Sequence, residues 1–185
     1  MRKLIFAINI SLDGCCDHTM FGPDEETLAY FTHLTRDADT FVYGRKTYQL
    51  MVPFWPDMAK NHSGDKANND FADAFDAIKK IIVFSRSLDT SEGKNTSIVR
   101  TNLQNEILKL KQEHGKNILT GGVSVPSQLM ELGLVDEYIF VIHPIVAGAG
   151  RRLFNGASLQ QSLPLKLVET NIFKSGCVAL RYLKQ

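Results

Sequence analysis

Three short segments of this 185-residue chain combine glycine, hydroxyl and cationic groups, which together bind phosphate in many proteins. They read GRKT at residues 44–47, SRS at 85–87 and TGG at 120–122, and each ends a short apolar run typical of a buried strand. A glycine pair lets a ligand approach bare backbone, and a helix that starts there presents unpaired N–H groups and a positive dipole end. Any one segment could be an ordinary strand-to-helix turn. Their convergence predicts a site for a phosphorylated ligand.

Two of these segments carry an arginine, Arg45 and Arg86. A guanidinium group offers a phosphate monoester two parallel charge-assisted hydrogen bonds. Two such groups suit a nucleotide with an additional 2′-phosphate better than a nucleotide without one. The alternative is that both side chains are solvated on the surface, which is the commonest environment of an arginine.

The segments lie in a repeating order of predicted strands and helices. The apolar patterns predict strands at residues 3–10, 40–43, 81–84, 98–99, 118–119 and 138–146. Helices are predicted after residues 22–25 (GPDE), after 44–47, at 71–79, at 103–112 and from Pro126 to a C-terminal Gly133, whereas the polar residues 57–70 are predicted to be a mobile loop. Two alternating strands at 165–173 and 177–183, separated by Ser175 and Gly176, predict an antiparallel hairpin. We therefore expect one α/β domain over residues 1–185, with a three-layer, mostly parallel sheet, helices on both faces and a C-terminal antiparallel hairpin.

Composition narrows the class of partner. The net charge is +1 without a basic stripe, so nucleic acid is not an expected partner, and no segment has the length of a membrane span. Three cysteines do not form a disulfide framework, which fits a reducing cytoplasm. The adjacent Cys15 and Cys16 are not spaced for a metal, so no metal site is predicted. His143, in a buried apolar strand, is interpreted as a structural histidine with satisfied hydrogen bonds.

The ordered motifs resemble a known family. They are S-x-D-G after the first strand, GRKTY, V-x-S-R, the double glycine, VDE, and P-x-x-x-G-x-G at residues 144–150. This set is similar to the dihydrofolate-reductase-like fold, in particular to the reductase domain of the bifunctional riboflavin-biosynthesis deaminase–reductase. The resemblance implies NADPH binding and hydride transfer to a small heterocyclic (pteridine- or pyrimidine-like) or ribosyl-derived substrate. The deaminase signature, H-x-E with P-C-x-x-C, is absent from the sequence.

The resemblance also implies roles for individual residues. The 2′-phosphate of the adenosine would be held by Gly44, Arg45, Lys46, Thr47, Ser85 and Arg86. The pyrophosphate would lie against Thr120, Gly121, Gly122 and Val123, and the nicotinamide against Ala7 and Ile8, beside a loop that contains Ser11, Asp13 and Gly14. Asp13 is the one acid expected near the nicotinamide, so it is the candidate for proton relay or substrate anchoring.

Two departures from the family pattern leave the activity open. Dihydrofolate reductases carry a pterin-binding carboxylate in the first helix where this chain has Thr27, four residues before Phe31. Thr120 stands where riboflavin-pathway reductases often have glutamate. Thr27, Phe31 and Trp55 are the candidate substrate contacts. The alternative to a reductase is a non-catalytic protein that binds NADP(H) or another nucleotide on the same scaffold.

The C-terminal strands predict self-association. Ile172, Phe173, Val178, Leu180 and Tyr182 are more apolar than an exposed sheet edge should be, and alternation puts them on both faces. Reductase domains of the resembled family commonly pair through this region. We therefore expect a homodimer with one complete cleft in each subunit.

Overall fold

A computed structural model describes residues 1–22, 24–93, 95–154, 159 and 161–185. Its strands are β1 (Leu4–Ser11), β2 (Ala38–Gly44), β3 (Lys80–Phe84), β4 (Thr96–Val99), β5 (Asn117–Thr120), β6 (Glu137–His143), β7 (Leu165–Ile172) and β8 (Val178–Lys184). Its helices are α1 (Glu25–Arg36), α2 (Arg45–Met51), α3 (Phe54–Asn61), α4 (Lys66–Asp76), α5 (Leu103–Gln112) and α6 (Ser124–Glu131). No helix within the described ranges is long and apolar enough to cross a bilayer.

All eight strands form one sheet in the order β4-β3-β2-β5-β1-β6-β8-β7. The six strands from β4 to β6 are parallel, whereas β8 pairs antiparallel with β6 and β7 antiparallel with β8. The chain builds outward from β1 to β4 and then returns, so that β5 lies between β1 and β2, and β6 lies on the other side of β1. The predicted hairpin is thus confirmed, as is the mostly parallel sheet.

Alternation along the strands divides the core between the two faces of the sheet. Ile5, Phe41 and Val83 point to the face covered by α1–α4, which we call the front face. Their neighbours Phe6 and Val42 point to the opposite, back face, which α5 and α6 cover. The central strands are mostly apolar because both faces of the sheet are covered by helices. The three-layer α/β prediction is confirmed.

The prediction of a loop over residues 57–70 is wrong. Helix α3 continues to Asn61, and α4 already begins at Lys66, capped by the Asp65 side chain, which accepts the N–H of Asn68. Helix α3 tolerates Pro56 because this residue lies in its first turn, where an N–H has no partner within the helix. The prediction of a helix opening at residues 22–25 is confirmed from Glu25 onward, whereas Pro23 lies outside the described residues.

Helix α6 ends as its glycine predicts. Gly133 has a φ of +66°, and the backbone N–H groups of Gly133 and Leu134 donate to Met130 and Leu129. A residue with a side chain would be strained in this left-handed conformation. The turn leads the chain into β6, the strand beside β1.

Candidate functional site

The carboxyl ends of β1, β2 and β5 border a cavity of about 740 Å³ between the sheet and helices α1–α4. In open α/β sheets, ligands bind at this edge, where the strand order reverses. Ten predicted contact residues line the cavity, namely Ala7, Ile8, Phe31, Lys46, Thr47, Trp55, Thr120, Gly121, Gly122 and Val123. The fold therefore brings the two halves of the predicted site, one for a nucleotide and one for a substrate, into one space.

The glycine pair packs tightly against its neighbours. Gly122 has a φ of +82°, and a Cβ at this position would collide with the Thr47 hydroxyl. A Cβ at Gly121 would stand 3.4 Å from the carbonyl oxygen of Ala7. These contacts join the turn after β5 to β1 and to α2, and we call the bare backbone of Gly121 and Gly122 at this turn the glycine cradle.

Cationic groups stand around this cradle. Lys46 and Arg151 are exposed and line the cavity. The Arg151 guanidinium donates to the hydroxyl of Ser124, the first residue of α6, at 3.0 Å. This contact places positive charge at the start of α6, which suits an anionic ligand.

The remaining predicted adenosine contacts lie beyond the cavity wall. Gly44 pairs with Phe84, so Arg45 and Ser85 leave the sheet side by side. Arg45 is exposed and donates to Gln49 at 3.3 Å. The Ser85 hydroxyl accepts the backbone N–H of Leu88 at 3.0 Å and shapes the turn, while Arg86 is exposed. These four residues do not line the described cavity and instead form an open shelf along the same edge of the sheet.

The Asp13 carboxylate binds the loop that follows β6. It accepts the Ser11 hydroxyl at 2.6 Å and the backbone N–H groups of Ala147 and Gly148 at 2.9 and 3.0 Å, and it pairs with Arg152 at 3.1 Å. These donors, the Ser11 hydroxyl first, hold the pKa of Asp13 well below its usual range.

Neither Asp13 nor its neighbours Ser11 and Gly14 are among the residues that line the cavity. A carboxylate so fully used as an acceptor is poorly placed to carry a proton. The geometry therefore favours a structural role for Asp13 over the predicted proton relay.

One wall of the cavity is built from aromatic side chains. Trp55 meets Phe71 edge-on with ring centroids 4.5 Å apart, and Phe31 and Phe41 complete the wall. Thr27, by contrast, is fully buried, and its hydroxyl bonds to the Asp24 carboxylate at 3.0 Å instead of facing the cavity. Phe31 and Trp55 therefore line the cavity, whereas Thr27 does not.

Several polar residues on the cavity wall escape prediction from the sequence. Asn9, His18 and Tyr43 all line the cavity. Tyr43 is 5% exposed, and burial raises the pKa of its phenol above the usual range. Its hydroxyl has no hydrogen-bond partner among the residues that the structure describes. The sequence does carry one signal, because Asn9 interrupts the otherwise apolar run of β1.

The interpretation of His143 as a satisfied structural histidine is confirmed. It is 3% exposed, with Nε2 at 3.0 Å from the Asn9 side-chain oxygen and Nδ1 at 3.3 Å from the Cys177 sulfur. Phe21 stacks on the imidazole with centroids 4.3 Å apart. Burial lowers the pKa of His143, so the ring is held neutral.

Comparison with known proteins places the chain in a family. The model of the RibD C-terminal domain matches residues 2–179. YyaP of Bacillus subtilis (strain 168), described as an uncharacterized protein, is 35% identical over 190 residues, covering 98% of this chain and 94% of YyaP.

Two solved structures share the fold. A pyrimidine reductase-like protein from Corynebacterium diphtheriae has a TM-score of 0.68 at 16% identity and covers 100% of this chain and 92% of its own. Dihydrofolate reductase from Enterococcus faecalis, complexed with NADP(H) and RAB-propyl, has a TM-score of 0.62 at 14% identity, with 99% and 96% coverage. The fold is therefore dihydrofolate-reductase-like, and the chain is a member of the RibD C-terminal domain family.

Proposed function

We propose that this protein is an NADPH-dependent reductase of a small heterocyclic or ribosyl-derived metabolite, with a pteridine- or pyrimidine-like ring. One observation carries the proposal. The glycine cradle of Gly121 and Gly122 opens, past Ala7, into a pocket with aromatic walls. A dinucleotide in the cradle and a planar ring in the pocket would therefore meet at the end of β1. Membership of the RibD C-terminal domain family supports the same reaction class.

The cradle fits a dinucleotide pyrophosphate because Gly121 and Gly122 are half-buried, carry no side chains and line the cavity together with cationic groups. Lys46, Thr47 and Arg151 would contact the phosphates from the cavity wall. Arg45 and Arg86 on the open shelf would hold the 2′-phosphate, which is the group that distinguishes NADPH from NADH. The related fold of the Enterococcus faecalis enzyme, complexed with NADP(H), is consistent with this assignment.

The protein's own contribution is positioning and exclusion of water. A bound nicotinamide supplies the hydride, and the chain holds the acceptor ring against it. Phe31, Trp55 and Phe71 provide apolar walls that keep the ring oriented and dry. We propose that His18, an exposed residue that lines the cavity, delivers the proton instead of Asp13.

Calorimetric titration with NADPH and NADH tests the cofactor. We expect NADPH to bind about tenfold or more tightly, because losing the charge-assisted bonds of one arginine costs roughly 1.5–3 kcal/mol. Equal affinities would contradict the proposed adenosine site. Trp55, the single tryptophan of the chain, gives a second readout, since a ligand in the cavity must change its fluorescence.

A non-catalytic nucleotide-binding protein remains the second candidate. It is favoured by the position of Thr27, which leaves α1 without a carboxylate facing the pocket. Both candidates predict negligible reduction of dihydrofolate, because a hydroxyl cannot replace a charged bidentate contact with a pterin. Turnover near about 10 per second with dihydrofolate would contradict that expectation. NADPH oxidation across a panel of oxidised pteridines and pyrimidines separates the two candidates, since only the reductase turns over.

We also propose that the protein forms a homodimer through its C-terminal strands. Strand β7 is an edge strand, and its Leu167, Val168 and Ile172 side chains are 50%, 45% and 78% exposed. Uncovered apolar groups on an edge favour pairing with another chain. Light scattering at micromolar concentration tests the dimer, and a mass near the 20.7 kDa of one chain would contradict it.

A further inference from the structure

A row of three polar side chains crosses the front face of the sheet and ends at the cavity. Asn9 on β1 pairs in register with Val141, and Ser11 pairs with His143 on β6, so Asn9 and His143 are diagonal neighbours on one face. Cys177 directly precedes Val178, which pairs with Ile142. The row therefore runs from β8 across β6 to β1. Only its last member, Asn9, lines the cavity.

With the side-chain oxygen of Asn9 turned toward His143, as in the structure, the hydrogen bonds of the row have one consistent arrangement. The buried Cys177 thiol donates to Nδ1 of His143 across 3.3 Å, which leaves the single proton of the neutral ring on Nε2. That Nε2–H donates to the side-chain oxygen of Asn9 at 3.0 Å. Phe21 stacks on the imidazole at 4.3 Å and prevents it from turning.

These hydrogen bonds turn the amide nitrogen of Asn9 away from His143. The amide oxygen is occupied by His143, whereas the amide nitrogen has no hydrogen-bond partner within the described part of the chain. Asn9 is only partly buried and faces the aromatic pocket. The NH₂ group of Asn9 is therefore free to donate to a ligand in the cavity, and a ligand that displaces water without accepting from it loses affinity.

We infer that Asn9 determines substrate specificity by donating to a ring carbonyl, and that the Cys177–His143 pair is what holds its NH₂ group toward the cavity. The inference rests on the proposed function, since it concerns the ring-binding half of the same site. An amino group at the corresponding position of the ring would place its N–H donors against the N–H donors of Asn9, and no hydrogen bond would form. The pocket would therefore reject aminated rings and accept oxo rings of the same shape.

Two rings of matched shape test the inference. Lumazine (pteridine-2,4-dione) carries carbonyls where 2,4-diaminopteridine carries amino groups. Quenching of Trp55 fluorescence measures the binding of each to the full-length protein, both saturated with NADP⁺ and without nucleotide. We expect lumazine to bind roughly tenfold or more tightly, because the mismatched ring leaves Asn9 unpaired.

The isosteric Asn9→Asp variant should reverse this preference, because a carboxylate accepts where the amide donates. Asn102→Asp, an exposed site at the start of α5, carries the same change of charge and should leave the preference unaltered. A wild-type preference for the diamino ring would show that the amide oxygen faces the cavity and would overturn the assignment. A preference unaffected by Asn9→Asp would overturn it as well.

The positioning role has its own pair of variants. Cys177→Ser keeps a donor to His143 and should retain the wild-type selectivity, whereas Cys177→Ala should lower the selectivity ratio roughly threefold as the amide becomes free to turn. A purely structural role would change the melting temperature and leave the ratio intact, which would contradict positioning. If neither ring binds to a protein that binds NADP⁺, the inference fails while the proposed cofactor site stands. If instead the protein binds the rings with the expected selectivity but does not bind NADP⁺, the proposed function fails while this inference stands.

Discussion

The two ends of the parallel strands use arginine in opposite ways. At the amino ends, Arg2 is 7% exposed, ion-paired with Asp39, and bonded to the Thr40 hydroxyl at 2.8 Å and to the Lys116 carbonyl at 2.6 Å. At the carboxyl ends, Arg45 and Arg86 are exposed. The Arg45 side chain makes one hydrogen bond of 3.3 Å, and the Arg86 guanidinium makes none within the described ranges.

The difference separates positive charge that the protein itself neutralises from positive charge that is exposed to solvent. Arg2 satisfies buried oxygens of the chain itself, so its charge contributes to folding. Arg45 and Arg86 gain little from the protein around them, and a solvated cation of this kind stabilises a fold weakly. Charge at the carboxyl edge is therefore available to a ligand. This contrast predicts that mutations at the two ends will separate stability from binding.

The largest effect is expected at the amino end. Arg2→Ala should lower the free energy of unfolding by about 3–5 kcal/mol, because it leaves the Asp39 carboxylate, whose side chain is only 13% exposed, without its ion-pair partner. NADPH affinity should not change. Urea unfolding measures the loss, and Arg36→Ala, an exposed arginine of α1, should stay within about 0.5 kcal/mol of the wild type. A comparable loss in the Arg36 variant would remove the contrast.

A substitution in the glycine cradle should affect both stability and binding. Gly122→Ala combines a left-handed backbone with a collision against Thr47, and we expect it to cost about 2–4 kcal/mol of stability and most of the NADPH affinity. Gly148→Ala is the matched control, because Gly148 has a φ of +72° but open space around its Cα. It should show only the backbone strain, about 1–2 kcal/mol. Equal behaviour of the two variants in unfolding and calorimetry would contradict the tight cradle.

At the carboxyl edge, Arg86→Ala should weaken NADPH binding by roughly 1.5–3 kcal/mol without affecting NADH binding. Its stability should remain within about 0.5 kcal/mol of the wild type, because the side chain is exposed and unpaired. Calorimetry with both nucleotides measures the difference. Arg100→Ala, whose guanidinium bonds to the Arg86 carbonyl at 3.2 Å, tests whether the shelf itself must be held in place. An equal loss for NADH would indicate a damaged site instead of a lost phosphate contact.

The smallest effect concerns Asp13 and acid. Because hydrogen bonds lower the pKa of Asp13 in the folded state, its contribution to stability is present above the unfolded pKa of about 3.9 and is lost as the pH falls below that value. Asp13→Asn should therefore be less stable than the wild type near neutral pH, and the gap should narrow in acid. Urea unfolding at both pH values tests this. A gap that widened in acid would show that the pKa is raised instead, as a proton relay would require.

Local sequence patterns were sufficient for most of the fold. The period-two and helical apolar spacings, the glycine that ends α6 and the order of motifs predicted the strands, the helices on both faces and the closing hairpin. They failed at residues 57–70, where polar composition indicated a loop. Helices α3 and α4 form there because a proline is tolerated in a first turn, and because Phe71 and Phe75 of α4 bury an apolar face against the sheet.

Local sequence patterns likewise predicted one part of the candidate site, whereas another part depends on the tertiary structure. The glycine pair and the arginines at the strand ends can be recognised in the sequence because each motif consists of adjacent residues, as with Gly121 and Gly122. The roles of Asp13, Asn9 and His143 depend on partners more than 130 positions away in the chain, such as Ala147 for Asp13 and His143 for Asn9. No local pattern encodes which long-range neighbour meets a side chain. Only the pairing of β1 with β6, and of β6 with β8, decided that Asp13 fastens a loop and that Asn9 faces the cavity.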